Sequence, residues 1–339
     1  MIRKVFFLIV ALPGILSLLS CTPAKEKLYK KNRIAMDTFI TITVASSSGR
    51  DAEKAMDRAF AAIERLGGLF NYFDEGSEVS LINRNAGIRP VVVSQETLDI
   101  IEQALSVSRE TDGAFDITIG PVMALWDFHK GVLPDAQAVK DRLQLVGYRK
   151  VVVDKAKGTV FLRKKGMQID LGGIAKGYAA DRAVEILRKN GMRAGLVAVA
   201  GDIKAYGLKP DRSAWRIGLK APRERSDGQE IFASLPLRER AVSTSGDYER
   251  FFIRSGVRYH HLLDPKTGYP ASGCRSVSVI AGEGTLTDAF STGVFVLGPE
   301  RGMETLKRLG FDGVIVDSSG AVSLTEGIKG SIELDGKKS

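Results

Sequence analysis

Strand signals in this chain come in neighbouring pairs, and that pairing limits the fold more than any single motif does. Val151-Val-Val153 and Thr159-Val-Phe-Leu162 are short apolar runs on either side of Asp154 to Gly158, the pattern of a hairpin. Ile34 to Val44 alternates, with Ile40, Ile42 and Val44 on one face and threonines on the other. Further strands are predicted at 167–170, 195–200, 215–220, 248–254 and 276–281. Helical spacing fills the gaps. Ala55, Ala59, Ala62, Ile63 and Leu66 form one stripe of 51–66, and Thr97 to Glu110 reads as a second helix punctuated by Asp112-Gly113. Residues 176–190 make an amphipathic helix stopped by Gly191, and two more helices are predicted from about 288 and 300. A doubly wound parallel fold needs a crossover helix after each strand, whereas adjacent paired strands need only turns. The expected class is therefore α+β, mainly antiparallel sheet with packed helices.

The N-terminus indicates where such a body would work. Arg3 and Lys4 precede an apolar run from Val5 to Leu19 that ends in Leu18-Leu19-Ser20-Cys21, the layout of a bacterial lipoprotein signal. The run is short and broken by Pro13 and Gly14, which argues against a membrane-spanning helix. On this reading residues 1–20 are a signal peptide and Cys21 carries the lipid; an uncleaved anchor or an ordinary secretory signal are the alternatives. Residues 21–33 are polar and lysine-rich and read as a tether, with one domain over 34–330. The expected location is the bacterial cell envelope, lipid-anchored and facing the periplasm or the exterior. Lipidation leaves Cys274 as the only free thiol, so no intrachain disulfide forms and the body depends on its apolar core. Loss of Arg3 and Lys4 lowers the formal charge from +9 to +7. That excess fits anionic lipid or an acidic substrate, or simply a soluble surface. Basic residues are not interleaved with aromatics in any run, so nucleic acid is not an expected partner.

Two segments carry the strongest chemistry. Asp170-Leu-Gly-Gly-Ile-Ala-Lys-Gly-Tyr-Ala-Ala-Asp181 sets a carboxylate, two glycines and a lysine at a strand-to-helix turn, where N–H groups and the helix dipole favour phosphate. Thr287-Asp-Ala-Phe-Ser-Thr292 starts a helix with Asp288 in its first turn and Thr292 on the same face, a pair of hard oxygen ligands. Together they point to a magnesium-dependent site for a pyrophosphate-containing cofactor.

Other clusters stay ambiguous from the residues alone. His260 and His261, just before the Pro265 to Gly268 turn, suit either a general base or a structural role. The hydroxyl-rich Ala241 to Tyr248 stretch suits phosphate oxygens or a plain turn. Thr111 to Pro121 offers Phe115 to stack on a flat ring and Asp116 to bond its polar edge, or else a turn with Phe115 in the core. Gly67-Gly68 has no phosphate context and reads as a linker.

Taken as an ordered set, the chain resembles the ApbE family of FAD:protein FMN transferases, many of them periplasmic lipoproteins. The resemblance rests on Met36-Asp-Thr38, Tyr72 with Ser77-Glu-Val-Ser80, Asp112-Gly-Ala-Phe-Asp116, Asp170 to Gly177, Gly201-Asp202, Ser243-Thr-Ser-Gly246, His261 to Gly268 and Thr287 to Thr292. It implies a T-fold-like α+β enzyme that splits FAD, passes FMN to a threonine of an acceptor protein through a phosphoester bond and releases AMP. It implies FAD contacts from Met36, Tyr72, Ala114, Phe115, Asp116, Asp170, Lys176, Leu262 and Ser291. It further implies Mg2+ on Asp288, Thr292 and the Gly173 carbonyl, with His261 the better base candidate of its pair. Lys176, where some members carry glutamate, is expected to help neutralise the pyrophosphate. Tyr72 suggests that FAD is retained rather than hydrolysed. The acceptor would be a subunit of an ion-pumping respiratory complex or another exported flavoprotein. Two other functions fit the same residues: a magnesium-dependent FAD pyrophosphatase, and a flavin-binding lipoprotein without turnover.

Overall fold

In the computed structural model, residues 25–223 and 230–334 are described. The signal segment and Cys21 lie outside the described residues. Eight strands form one sheet in which spatial order follows chain order. They are β1 Lys27–Ala35, β2 Thr38–Ser46, β3 Ala194–Val199, β4 Asp202–Tyr206, β5 Arg240–Gly246, β6 Cys274–Ala281, β7 Asp312–Asp317 and β8 Val322–Leu324. Every neighbouring pair is antiparallel, which bears out the expected class. Chain order is possible because each insertion between successive strands leaves and returns on the same side, so no parallel crossover is needed.

Helices cover one face. They are α1 Gly49–Phe70, α2 Gln95–Glu110, α3 Ala175–Lys189, α4 Gly284–Leu297 and α5 Pro299–Leu309. Ile40, Ile42, Val44, Val197, Val199, Val277 and Val279 of the sheet share a core with Phe60 and Ile63 of α1, Ala179 and Ala183 of α3, and Val294 and Phe295 of α4. The other face packs on a hairpin of strands Trp215–Lys220 and Ile231–Leu237, with Trp215, Ile217, Leu219, Leu235 and Leu237 against Ala205, Val242, Ile280 and Val314. Two buried faces explain why β6 reads as a continuous apolar and hydroxyl run rather than an alternation.

Several expected boundaries move. The presumed tether is shorter than 21–33, because Lys27 to Arg33 pair with β2 in full register. Two of its basic residues have partners: Lys31 reaches Asp57 at 2.7 Å, and Arg33 reaches Glu64 at 3.1 Å and lies over the Phe60 ring, while Lys27 and Lys30 are exposed. Lysines also suit an edge strand, where they discourage further pairing. At the other end, Glu333–Leu334 pairs with Ile231–Leu237, so order continues past 330. Residues 167–170 are extended but belong to no sheet; Asn83 takes the Ile169 N–H and the Ile117 carbonyl takes that of Asp170. The strand expected at 248–254 begins only at Phe251, after a turn that follows β5, and forms a separate hairpin of Phe251–Arg254 with Val257–His260. Gly67 and Gly68 lie inside α1 and link nothing.

Candidate active site

The site forms where α3 and α4 cross. Gly177 makes the crossing close: a Cβ there would sit 2.8 Å from Asp288 Cβ. That contact lets the Gly177 N–H donate to Asp288 Oδ2 at 2.9 Å, so the free amides at the start of α3 face a carboxylate of α4. The helix expected from about 288 begins at Gly284, which puts Asp288 past its first turn. No side chain of α4 caps its own N-terminus. Asp181 of α3 does so instead, accepting from Gly284 N, Thr285 N and Thr285 Oγ1, each at 2.8 Å. Gly177 and Asp181 are one turn apart on one face of α3, and they fix α4 in position and register.

Behind α4 stands β5. Ser243 Oγ meets Thr287 Oγ1 at 2.9 Å, and Ser245 Oγ meets Ser291 Oγ at 2.9 Å and Thr292 Oγ1 at 3.2 Å. The hydroxyl-rich 241–248 stretch is thus mostly a buried central strand that positions α4, neither a turn nor a phosphate loop. Ser291 is 1% exposed and also donates to the Asp288 carbonyl. Gly173 closes the corner, since a Cβ on it would lie 3.6 Å from Thr292 Oγ1.

Lys176 is not free. Its ammonium bonds Asp202 and lies 3.5 Å from Asp288 Oδ1. Against its burial, these carboxylates hold its pKa above the ordinary value. Lys176, expected from the sequence to face the pyrophosphate, is held here in an internal ion pair. Burial first, and Asp202 second, push the Asp288 carboxyl upward, with Lys176 opposing. One ammonium between two carboxylates leaves a buried excess of negative charge, the environment a divalent cation would relieve. Among the described residues no group of three or more His, Cys, Asp or Glu side chains could hold a metal. A cation here would rely on Asp288, the Thr292 hydroxyl and the Gly173 carbonyl, an all-oxygen set suited to magnesium.

The two histidines separate cleanly. His260 is buried, its Nε2 bonded to the Ala271 carbonyl at 2.8 Å and its Nδ1 accepting from Leu262 N, so its ring pins the 260–271 loop. Leu262 is buried in the core beside it. His261 is the ring without a protein partner, and its Nδ1 is buried and unbonded. Burial first, then the Arg250 charge, lower its pKa to about 3, so the resting ring is neutral and a weak base.

The remaining predicted residues divide between surface turns and the core. Met36 occupies the two-residue β1–β2 turn with Asp37, at φ 51° and 54°, the paired positive values of a type I′ hairpin. Its side chain lies over α1, 3.1 Å from where a Cβ on Gly67 would stand. Tyr72 donates its hydroxyl to Gln168 Oε1 at 2.6 Å. Asp170 accepts from Gly172 N at 2.8 Å, and burial raises its pKa. Phe115 follows the core alternative, 4% exposed and packed beside Gly173. Asp116 has both oxygens spoken for by Thr118 and by Tyr148 N, so its carboxylate is not presented to a ring edge. Contacts from Ala114, Phe115 and Asp116 would fall to main-chain atoms of that turn. Sequence reasoning named Asp202 only within the resemblance and Asp181 only as the end of its segment, and offered Ser243 and Ser245 to phosphate oxygens or a turn; a buried acid or hydroxyl finds its partner only once the partner helix is placed.

Residues 36–315 match the ApbE family as a whole. This chain belongs to the ApbE family. An FAD:protein FMN transferase of Klebsiella pneumoniae is 36% identical over 286 residues, covering 84% of this chain and 87% of that protein. One of Treponema pallidum is 33% identical over 323 residues, covering 90% and 89%. The crystal structure of the ApbE protein of Thermotoga maritima superposes with a TM-score of 0.83 at 36% identity, covering 89% of this chain and 98% of that one. The apo flavinyl transferase ApbE of Pseudomonas stutzeri gives 0.80 at 28% identity, covering 90% and 97%. Family, enzyme class and fold thus agree with the sequence reading.

Proposed function

We propose that this chain is a magnesium-dependent FAD:protein FMN transferase acting on a threonine of an acceptor protein. Relatives of this chain are named FAD:protein FMN transferases, which supports the transfer of FMN from FAD to a protein. The reading is supported by the family match together with a negatively charged oxygen corner at Asp202 and Asp288 and an imidazole, His261, whose Nδ1 is buried without a hydrogen-bond partner. Bound there, Mg2+ would act as a Lewis acid on the pyrophosphate and stabilise the departing AMP. Asp288, Thr292 and Gly173 would hold it, and Asp202 with Lys176 fixes the Asp288 carboxylate. His261 takes the proton of the threonine hydroxyl as its oxygen bonds to the FMN phosphorus and the P–O bond to AMP breaks. His260 keeps the loop closed against the core, so His261 does not have to be ordered at the moment of reaction. Arriving pyrophosphate charge raises the proton affinity of His261 from its low resting value, tying base strength to substrate occupancy.

The same reading places the protein in the envelope, lipid-anchored through Cys21 and facing the periplasm or exterior, with an exported flavoprotein or respiratory ion-pump subunit as acceptor. The test is to incubate the protein with FAD, Mg2+ and a threonine-bearing acceptor domain and weigh the acceptor by intact mass spectrometry. A gain of one FMN through a phosphoester, lost with EDTA, is expected. AMP and free FMN without a mass gain would instead mark a pyrophosphatase, and unchanged FAD a carrier.

A further inference from the structure

One positive charge beside the site has no ion-pair partner among the described residues. Arg250 is exposed, just beyond β5. Its carbonyl accepts from His261 N at 3.1 Å, extending the ladder in which Phe251 stands opposite His260. Residues opposite each other in an antiparallel pair share a face, so Arg250 and His261 project to the same side while Phe251 and His260 project to the other. Arg250 also acts on the Asp170 carboxyl, where its charge partly offsets burial. Arg250 is therefore the cross-strand neighbour of the base, and its charge is felt at the Asp170 carboxyl. Nearby arginines are committed elsewhere: Arg223 grips Asp247 with two bonds of 2.7 Å, and Arg258 lies over the Phe251 ring. Arg250 forms no ion pair among the described residues.

Charge balance gives this side chain a task, on the transferase reading above. Lys176, Asp202 and Asp288 together carry one net negative charge, so a divalent cation leaves the corner with one positive charge. A pyrophosphate brings one negative charge per phosphate, so a further cation is needed, and Lys176 cannot supply it from inside its ion pair. A planar guanidinium donates two parallel bonds to phosphate oxygens. We infer that Arg250 contacts the phosphate of the bound flavin nucleotide on the His261 side of the site, opposite the Asp288 corner.

The test compares FAD with riboflavin, which has the same ring and no phosphate. Dissociation constants come from flavin fluorescence for the wild type, Arg250→Ala and Arg250→Lys, with transfer measured in parallel. The alanine variant should bind FAD about 10- to 100-fold more weakly, the range for a charged hydrogen bond, with riboflavin unchanged and lysine recovering part of the loss. Unchanged FAD affinity, or equal weakening of FAD and riboflavin, overturns the inference. So does a wild type that does not prefer FAD to riboflavin. A wild type that shows this phosphate-specific loss in Arg250→Ala but transfers no FMN would sink the transferase reading and leave Arg250 standing.

Discussion

Replacing Gly177 by alanine loads the helix crossing with one methyl group. At present the added carbon would sit 2.8 Å from Asp288 Cβ, and closer still to the Gly284 carbonyl oxygen. Ordinary contact begins near 3.4 Å, so α4 must retreat by at least 0.6 Å from α3 at Asp288, and by more at Gly284. Both contacts are to helix backbone or to the first carbon of a side chain, so no flexible terminus can yield. Overpacking of this kind costs about 1–3 kcal/mol. At about 2–4 °C per kcal/mol for a domain of this size class, Tm should fall by several degrees. The same retreat stretches the bond from Gly177 N to Asp288 Oδ2 and displaces the carboxylate from Thr292 and Gly173. Misplacement by about 1 Å is worth roughly 10²-fold in rate. Thermal unfolding and FMN transfer at saturating FAD and Mg2+ are the assays. A variant with wild-type Tm and wild-type transfer would refute the view that this crossing sets the site. Gly68→Ala is the matched control: Gly68 lies exposed in α1 with nothing within 4 Å of an added Cβ, so alanine should stabilise by about 0.5–1 kcal/mol.

His261→Ala should lower transfer by about 10²–10⁴-fold while FAD affinity is kept; an equal loss of binding would make His261 structural. Asp288→Ala should abolish the magnesium dependence of FAD binding, and EDTA should reproduce the effect in the wild type, both readable by titration calorimetry. Lys176→Met leaves Asp202 and Asp288 facing each other in the interior and should cost about 3–5 kcal/mol, the penalty for breaking a buried pair; denaturant unfolding would show it. His261 has a pKa of about 3 in the fold, below the ordinary imidazole value. Between those values the unfolded chain binds more protons, so the stabilisation present at neutral pH is lost as pH falls. His261→Gln should flatten that acid slope, and a slope equal to the wild type's would show that other groups carry it.

Much of the fold was legible because it depends on local periodicity. The alternation of Ile40, Ile42 and Val44, the stripe from Ala55 to Leu66 and the paired runs at 151–162 each report burial of one face, which a chain records residue by residue. The Asp170 to Asp181 and Thr287 to Thr292 segments were legible as sites for a similar reason, since a helix start and an i,i+4 pair are short-range geometry. What the sequence left open was settled by contacts between residues far apart in the chain. Lys27 to Arg33 has the composition of a tether and becomes a strand because Asp57 and Glu64 on α1 take two of its charges. Ser243 and Ser245 have the composition of a turn and become a buried strand because α4 supplies hydroxyl partners. Lys176 sits correctly for an anion cradle, yet Asp202 and Asp288, 26 and 112 residues away, claim its charge. His260 and His261 are adjacent and chemically equal in sequence; only tertiary packing gives one ring two partners and the other none. Periodicity says which face a residue turns inward, but the free energy of a buried polar group depends on the partner it meets there, and the fold alone supplies that partner.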